Sequence, residues 1–421
     1  MTGTAVSLHT LMSLRRFITE ITDGPFGSAL TSSHYSDDGA RVIRLGNIGS
    51  ATFRDEDAAF IPFDYFRGLR RHEVRPGDLL IAGLGDENHP VGRACVAPKG
   101  IGPAIVKADC FRVRLDESRL THRYATWALS SMFVAQQVQT MARGSTRARI
   151  NLEVAREIRI PVPVIEEQRR ITKFLEAETR KIDNLVSKKR RLVDLLEERS
   201  DSRILNHVGA SALVAGATGL PVQPVRHLLA KVVRPAVAGE GTVTAYRDGH
   251  VTERSLRRAD GYTLSGSTEA QGQQVVPGDV VIHGLDGFAG AIGVSEAFGN
   301  CSPVYHVCEP RNGGDAHFFG RLLRLLALQG YLGNFATSTR ERAVDFRNWE
   351  LFGRIPLPVV PVEEQREIGS AIRRVRPLKE LVERSAALAA ERRQALITAA
   401  VTGQFDVSTA SGRNVTEGIT A

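Results

Sequence analysis

The sequence contains one ordered set of motifs twice, and this repeat constrains the fold more than any other feature. Ile160-Pro-Val-Pro is followed by Glu166-Glu-Gln-Arg169, and Ile355-Pro-Leu-Pro is followed by Glu363-Glu-Gln-Arg366. The copies lie about 195 residues apart in a chain of 421 residues. Self-similarity at a fixed spacing predicts two copies of one structural unit.

The repeat extends upstream of these junctions. Arg75-Pro-Gly-Asp78 returns as Val276-Pro-Gly-Asp279, and Gly144-Ser-Thr-Arg147 returns as Thr337-Ser-Thr-Arg340. Because the four motifs keep their order, the matched positions predict a common scaffold, and the divergent segments between them could carry different specificities. Asp78 and Asp279 follow Pro-Gly, where an aspartate side chain typically accepts a bond from its own turn.

Each half begins with short β-type runs that are separated by Gly, Pro and Asp, which is typical of an α+β module. A helix is predicted over Arg123 to Met141. The predicted divisions are a first module at 1–165, a long helix at 166–208, a linker at 209–221, a second module at 222–362, a second long helix at 363–405 and a disordered tail at 406–421.

The long helices are predicted from periodic apolar residues: the first series alternates spacings of four and three and is interrupted by polar residues at Glu178 and Lys189, and the second series is less regular. The first pattern comprises Ile171, Leu175, Glu178, Ile182, Leu185, Lys189, Leu192 and Leu196, and the second comprises Ile368, Ile372, Val375, Val382, Leu388, Leu396 and Ala399. A heptad pattern favours an antiparallel coiled coil between the helices. In the alternative, each helix packs back on its own module. Pro377 is expected to kink or break the second helix, because proline donates no backbone hydrogen bond.

The charge of the chain favours a polyanionic partner. Lysine and arginine number 55 against 47 aspartate and glutamate residues, which gives a net charge of +8. Such an excess favours contacts with phosphates. No apolar run is long enough to cross a bilayer, no signal-peptide pattern is present, and the four cysteines lack metal-site spacing, so we expect a cytoplasmic protein with reduced thiols.

No complete active-site motif is present in the sequence. Asp23-Gly-Pro-Phe26 superficially resembles the Asp-Pro-Pro-Tyr motif of adenine methyltransferases, but it lacks the second proline and an accompanying Gly-x-Gly signature, so a turn is expected. The sequence has no phosphate-binding Gly-rich loop, no Glu-x-Lys element of a metal-dependent nuclease, and no histidines at metal-binding spacing. We therefore expect neither catalysis nor a metal site in this chain.

With these doubled motifs, the chain resembles the specificity (S) subunits of type I restriction–modification systems, the HsdS family, over nearly its whole length. Asp23-Gly-Pro-Phe-Gly-Ser28 and Leu396-Ile-Thr-Ala-Ala-Val-Thr-Gly-Gln404 add to the resemblance. It implies two tandem, pseudo-symmetric target recognition domains, joined by two long helices that form an antiparallel coiled coil. Each domain would recognise one half of a bipartite double-stranded DNA site, and the helices would set the gap between the halves.

The resemblance also implies partners. Two methyltransferase (M) subunits, which hold S-adenosylmethionine, would dock on the helices, and two restriction/translocase (R) subunits would join them. The specificity subunit itself would hold no cofactor and perform no catalysis. The candidate docking residues are Glu166, Glu167, Arg169, Lys188, Lys189, Arg190, Glu363, Glu364 and Arg366, for which a solvated helix face is the alternative.

The candidate DNA-binding residues lie in two groups of loops: the repeated Ser-Thr-Arg loops, because arginine binds phosphate or pairs with guanine, and the loops after the Pro-Gly-Asp strands, which differ between the two copies. For each of them, a solvated loop residue or a phosphate anchor is the alternative to base recognition. The first-copy candidates are Asn88, His89, Arg93, Arg143, Ser145, Thr146, Arg147 and Arg149, and the second-copy candidates are Asp286, Phe288, Ser338, Thr339, Arg340 and Arg342.

Two other functions are compatible with the same modules. The chain could be the specificity part of a fused restriction enzyme, or a DNA-recognition scaffold of another phage-defence system.

Overall fold

The computed structural model describes residues 8–87, 89–144, 147–207, 221–257, 272–335 and 345–408. These form two compact units. Unit 1 comprises Met1–Val186 and Ser385–Ala421, and unit 2 comprises Ser187–Arg384. In the described residues, no helix combines the length and apolar character needed to cross a membrane.

Unit 1 is an α+β module with two four-stranded sheets. Its strands are β1 (Leu11–Ser13), β2 (Ile18–Thr22), β3 (Ala40–Ile43), β4 (Phe60–Ile61), β5 (Glu73–Val74), β6 (Leu79–Ala82), β7 (Ala94–Val96), β8 (Ala104–Val106), β9 (Cys110–Leu115) and β10 (Arg159–Pro161). Its helices are α1 (Phe63–Gly68), α2 (His122–Leu129), α3 (Met132–Met141), α4 (Leu152–Glu157) and the first part of α5 (Ile165–His207). The sheets have the orders β2-β9-β6-β7 and β4-β3-β8-β5, and β1 pairs with β10.

Unit 2 repeats the first of these sheets. Its strands are β11 (Val222–Pro224), β12 (Leu229–Lys231), β13 (Val243–Ala245), β14 (Val251–Glu253), β15 (Gln273–Val275), β16 (Val280–His283), β17 (Ile292–Val294), β18 (Gly299–Cys301), β19 (Tyr305–Pro310) and β20 (Pro356–Pro358). Its helices are α6 (Val225–Leu228), α7 (Ala316–Leu328), α8 (Trp349–Phe352) and the first part of α9 (Val362–Thr402). The order β12-β19-β16-β17 corresponds to β2-β9-β6-β7, and β11 pairs with β20 as β1 pairs with β10.

The Pro-Gly-Asp turns are equivalent in the two units, and the predicted turn bonds are confirmed. Asp78 and Asp279 each accept a hydrogen bond of 2.8 Å from the backbone N–H three residues earlier. Gly77 and Gly278 have φ angles of +90° and +98°, which favour glycine because a side chain is strained there. The turns therefore start β6 and β16 in the same way.

The glutamine of each Glu-Glu-Gln-Arg motif fixes the start of a long helix to its module. Gln168 and Gln365 are buried. Their side-chain oxygens accept from the backbone N–H of Thr121 at 3.0 Å and of Asp315 at 3.2 Å, which are the N-cap residues of α2 and α7. Their amide groups donate to the carbonyl five residues earlier, at 3.0 and 2.7 Å. The buried amide therefore explains why both copies contain glutamine.

The helices α5 and α9 run antiparallel where they contact each other. In unit 2, Lys379 Nζ lies 3.0 Å from Glu197, and Arg203 Nη2 lies 3.0 Å from a carboxylate oxygen of Glu367. The residue number rises along one helix while it falls along the other, which is the antiparallel arrangement expected.

Each unit core contains the start of one long helix and the end of the other. In unit 1, Ile171 of α5 belongs to the same buried cluster as Val401 of α9. In unit 2, Ile368 of α9 belongs to the same cluster as Ile204 of α5. Both packing arrangements considered from the sequence therefore occur: a helix packs first on its own module and then with the other helix.

The predicted heptad pattern is wrong in the middle of both helices. Leu185, Leu192 and Leu388 are exposed. The buried or half-buried side of α5 follows residues 171, 182, 193 and 204 instead, at a spacing of eleven. At 3.6 residues per turn, eleven residues exceed three turns by about 20° and seven residues fall short of two turns by about 20°, so over about 33 residues the eleven-residue line drifts by about 60° and a heptad line by about 100°.

Two other helix predictions need correction. The predicted helix Arg123 to Met141 is two helices, because Ser131 caps α3 by accepting from the backbone N–H of Val134 at 3.3 Å. Helix α9 continues through Pro377, where a kink or a break was expected, so the break does not occur. Pro377 is exposed, so water can reach the backbone at this turn.

Several predicted segments lie partly outside the described residues. The linker predicted at 209–221 is described at Pro221 alone, and the tail predicted at 406–421 is described over 406–408. Helices α5 and α9 end at His207 and Thr402, against predicted ends of 208 and 405.

Candidate nucleic-acid interface

Two loops of unit 1 form an exposed edge at the end of β6. The loop after β6 and the loop before α4 are joined by hydrogen bonds from Gly85 N to Ala148 O at 2.8 Å and from Ile150 N to Gly83 O at 2.9 Å. Glycine is required at position 83, because a Cβ there would lie 2.4 Å from the ring of Phe111. We call the described residues of these two loops, 83–87, 89–92, 142–144 and 147–151, the unit 1 edge.

Unit 2 has the same connection. Phe346 N donates to Gly284 O at 2.7 Å, as Ile150 N donates to Gly83 O. Gly284 follows β16, as Gly83 follows β6, and Phe346 precedes α8. We call the described residues 284–288 and 345–348 the unit 2 edge.

On the unit 1 edge, the imidazole of His89 links two charged side chains. Its Nδ1 lies 2.9 Å from Asp86 Oδ1, and its Nε2 lies 3.2 Å from Nη1 of Arg54. Arg143 and Arg147, in the second loop of the unit 1 edge, are also exposed. Arg54 was missed by sequence reasoning, because it is 35 residues from His89 and belongs to no repeated motif.

Arg93 has a structural role, in contrast to the prediction that it contacts DNA. Its side chain is buried. The guanidinium donates to four backbone carbonyls, those of Leu45, Ile48, Leu84 and Pro90, at 2.7–3.1 Å. Because these carbonyls occupy its donors, Arg93 holds loops together beneath the edge and is not available to a duplex.

Arg149 is held by an aspartate on the unit 1 edge. Its Nε and Nη2 lie 2.8 and 2.7 Å from the same oxygen, Oδ1 of Asp109. Asp109 adopts a left-handed φ of 64° in the turn between β8 and β9, and its carbonyl accepts from Gly83 N at 2.7 Å. The side chain of Arg149 is 54% exposed, so its guanidinium is oriented and still accessible.

Arg347 is also held by an aspartate on the unit 2 edge, here through both carboxylate oxygens. Its Nε lies 3.0 Å from Oδ1 of Asp345, and its Nη2 lies 2.6 Å from Oδ2. The hydrogen bonds from Arg347 lower the pKa of Asp345 to about 2. The side chain of Arg347 is 57% exposed. Sequence reasoning missed this residue, although the triplet Asp345-Phe-Arg347 beside a loop is a possible signal.

The second-copy candidates differ in their environments. Asp286 accepts from Arg247 Nη2 at 2.8 Å and remains at the edge. Phe288 is half-buried and packs on the unit 2 core, which is a structural contact. The remaining candidates, Asn88, Ser145, Thr146, Ser338, Thr339, Arg340 and Arg342, lie outside the described residues.

The Asp23-Gly-Pro-Phe segment follows β2 without regular secondary structure. Asp23 Oδ1 accepts from Gly24 N at 2.7 Å, and a Cβ on Gly24 would lie 2.0 Å from the carbonyl carbon of Lys107. Burial raises the pKa of Asp23 to about 6, against the lowering effect of the Gly24 bond, and the charge of Asp109 raises it further. The segment is therefore irregular where a turn was expected.

The candidate docking residues lie on the two long helices. Those that are exposed are Glu166, Arg169, Lys188, Arg190, Glu363 and Arg366, and those that are half-buried are Glu167, Lys189 and Glu364. Arg190 Nη2 lies 3.3 Å from a carboxylate oxygen of Glu383, and Arg366 Nη2 donates to the carbonyl of Gly313 at 3.1 Å.

Exposed leucines accompany these charges on the helices. They are Leu185 and Leu388 in unit 1, and Leu192, Leu195, Leu378 and Leu381 in unit 2.

Comparison with known proteins agrees with these features. The family model described as "Type I restriction modification DNA specificity domain" matches residues 77–192. The type I restriction enzyme MjaVIII specificity subunit of Methanocaldococcus jannaschii is 24% identical over 191 residues, which are 44% of this chain and 43% of that protein.

Two solved structures are similar in fold. The S subunit of a type I restriction–modification system from M. genitalium has 15% identity and a TM-score of 0.50, with 95% of this chain and 98% of that chain covered. A chain from a structure that describes complex assembly and conformational transition of the type I R-M system has 16% identity and a TM-score of 0.55, with 96% and 100% covered. Residues 77–192 therefore match the type I restriction modification DNA specificity domain, and the chain shares the fold of these two structures.

Proposed function

We propose that the chain is the DNA-specificity subunit of a type I restriction–modification complex, in which each unit recognises one half of a bipartite double-stranded site. The observation that carries this proposal is the family match over residues 77–192, because that segment contains both loops of the unit 1 edge. The unit 2 edge repeats the same backbone connection outside the matched segment.

The side chains on both edges suit a DNA duplex. Exposed arginines can contact phosphates through charge, and can pair with base edges in the major groove. The net charge of +8 supports association with a polyanion. Because the exposed side chains of the two edges differ, each unit can recognise a different half-site.

The long helices supply the remaining parts of the function. Each helix begins in one unit and ends in the other, so the pair sets the gap between the half-sites. The exposed leucines and charges of α5 and α9 bind two methyltransferase subunits, since a partner helix would cover these apolar groups.

Catalysis belongs to the partners in this proposal. The methyltransferase subunits hold S-adenosylmethionine and take the target adenine out of the duplex, which this chain positions. Restriction/translocase subunits complete the complex and cut unmethylated DNA.

Methylome sequencing tests this function. The chain is co-expressed with an N6-adenine methyltransferase encoded beside its gene, and the host DNA is sequenced for N6-methyladenine. The expected result is one bipartite motif with a fixed gap and one methylated adenine in each half, with expression of the methyltransferase alone as the control. A stable DNA-binding complex without methylation would favour a recognition scaffold of another phage-defence system. Methylation by the chain alone would favour the fused-enzyme alternative.

A further inference from the structure

We propose that Arg149 and Arg347 each recognise a guanine, one in each half-site, and that Asp109 and Asp345 are the positioning residues that orient them. This inference rests on the proposed function, and it assigns a base to each edge. Both units contain this arginine–aspartate pair, although the repeated sequence motifs do not align the two arginines.

The two arginines use the same side of the guanidinium for the aspartate. In Arg149 and in Arg347, Nε and Nη2 are the atoms that approach the carboxylate. The opposite side, formed by Nη1 and the second N–H of Nη2, has no hydrogen bond to a described residue. This free pair of parallel donors matches two adjacent acceptors on a ligand.

The two arginines also occupy comparable places. Arg149 directly precedes Ile150, and Arg347 directly follows Phe346, the two residues whose N–H groups bond Gly83 and Gly284. The sequence repeat pairs Arg149 with Arg342 instead. The same arginine–aspartate pair is therefore built from different positions in the two units, which is consistent with selection for the pair itself.

The aspartate favours a base over a phosphate as the ligand. An arginine–aspartate pair has no net charge, and its carboxylate repels a phosphate, so the aspartate weakens charge attraction while it fixes the guanidinium plane. Orientation matters most for a planar ligand with two acceptors in a fixed geometry. Guanine presents O6 and N7 as such a pair in the major groove, whereas adenine presents one acceptor beside a donor and cytosine presents a donor.

Arg147 provides a contrast on the same edge. It is exposed, and its side chain forms no hydrogen bond or ion pair with a described residue. A freely moving cation suits a phosphate, which has no orientation requirement of this kind. We therefore expect Arg147 to contribute affinity without base preference.

The experiment measures base preference by selection from duplexes with randomised half-sites. The full chain, in complex with its methyltransferase partner, is compared with Arg149→Lys, Arg347→Lys and the control Arg147→Lys, because lysine keeps the charge and loses the paired donors. We expect Arg149→Lys to reduce guanine preference roughly 5- to 150-fold at one position of one half-site, the range for one bidentate contact. Arg347→Lys should reduce guanine preference in the same way in the other half-site. Arg147→Lys should leave the base preference at every position unchanged.

Two further arms separate the possible causes. Asp109→Asn should weaken the preference at the Arg149 position alone, an effect that general loss of structure would not produce. 7-Deazaguanine at that position lacks the N7 acceptor. The wild type should bind such a duplex more weakly than the duplex with guanine, whereas Arg149→Lys should bind the two duplexes equally.

The inference is overturned if Arg149→Lys and Arg347→Lys keep the wild-type guanine preference, or if 7-deazaguanine has no effect on the wild type. It is also overturned if selected half-sites contain no guanine, although the proposed function then stands. A wild-type complex without any sequence preference would instead contradict the proposed function.

Discussion

Replacement of Gln168 by leucine should strongly destabilise unit 1. The Gln168 side chain is fully buried and makes three hydrogen bonds: it accepts from Thr121 N at 3.0 Å and donates to the carbonyls of Arg119 and Pro163 at 2.9 and 3.0 Å. Leucine removes all three bonds and leaves three part-buried backbone groups without these partners. At roughly 1 kcal/mol for each bond, plus the desolvation of the unpaired groups, the expected loss is about 3–5 kcal/mol.

Tryptophan fluorescence can measure this loss for unit 1 alone. The chain has two tryptophans, Trp127 in unit 1 and Trp349 in unit 2. In a Trp349→Phe background, urea unfolding followed by Trp127 reports the free energy of unfolding of unit 1. Gln136, which is exposed on α3, provides the control Gln136→Leu, with an expected change of less than about 0.5 kcal/mol.

The reasoning is refuted if Gln168→Leu lowers the free energy of unfolding no more than Gln136→Leu does. That result would mean that the buried amide does not hold α5 to its module. The equivalent change Gln365→Leu, followed by Trp349 in a Trp127→Phe background, should destabilise unit 2, because Gln365 makes the corresponding bonds there.

Two other predictions concern pH and assembly. Burial raises the pKa of Asp23 to about 6, so the folded state binds this proton more tightly than the unfolded state does. The stabilisation of the folded state by the protonated Asp23 is therefore complete below about pH 4 and is lost as the pH rises through about 6. Asp23→Asn should therefore stabilise unit 1 relative to the wild type at pH 7.5 and not at pH 4, as measured by urea unfolding, and an equal effect at both values would contradict the assigned cause. Leu192→Glu, at an exposed position of α5, should abolish co-purification of the methyltransferase partner without lowering the thermal midpoint of the chain. Arg199→Lys, at another exposed position of α5, serves as the neutral control. Co-purification that is retained with Leu192→Glu would exclude this surface as the docking site.

The predictions that the structure confirms depend on short sequence separations. The turn bonds of Asp78 and Asp279 span three residues, and the strands at Leu79–Ala82 and Val280–His283 follow directly from the Pro-Gly-Asp motifs. The heptad prediction was wrong because it depends on which side of a helix is buried. Leu192 fits a heptad as well as any other leucine of α5, yet it is exposed, because contacts with the rest of unit 2 select the buried side.

By itself, the sequence determined the duplication, the two long helices and the resemblance to type I specificity subunits, because repeated motifs and local turn chemistry are properties of neighbouring residues. The tertiary structure alone decided the roles of the arginines. Arg93 and Arg149 have the same chemistry, but Arg93 is enclosed by carbonyls from four loop positions, while Arg149 reaches Asp109, 40 residues away, and remains exposed. Burial and long-range pairing depend on which distant segments of the chain come into contact. These two properties decide whether a guanidinium is part of the internal structure or is available to a ligand.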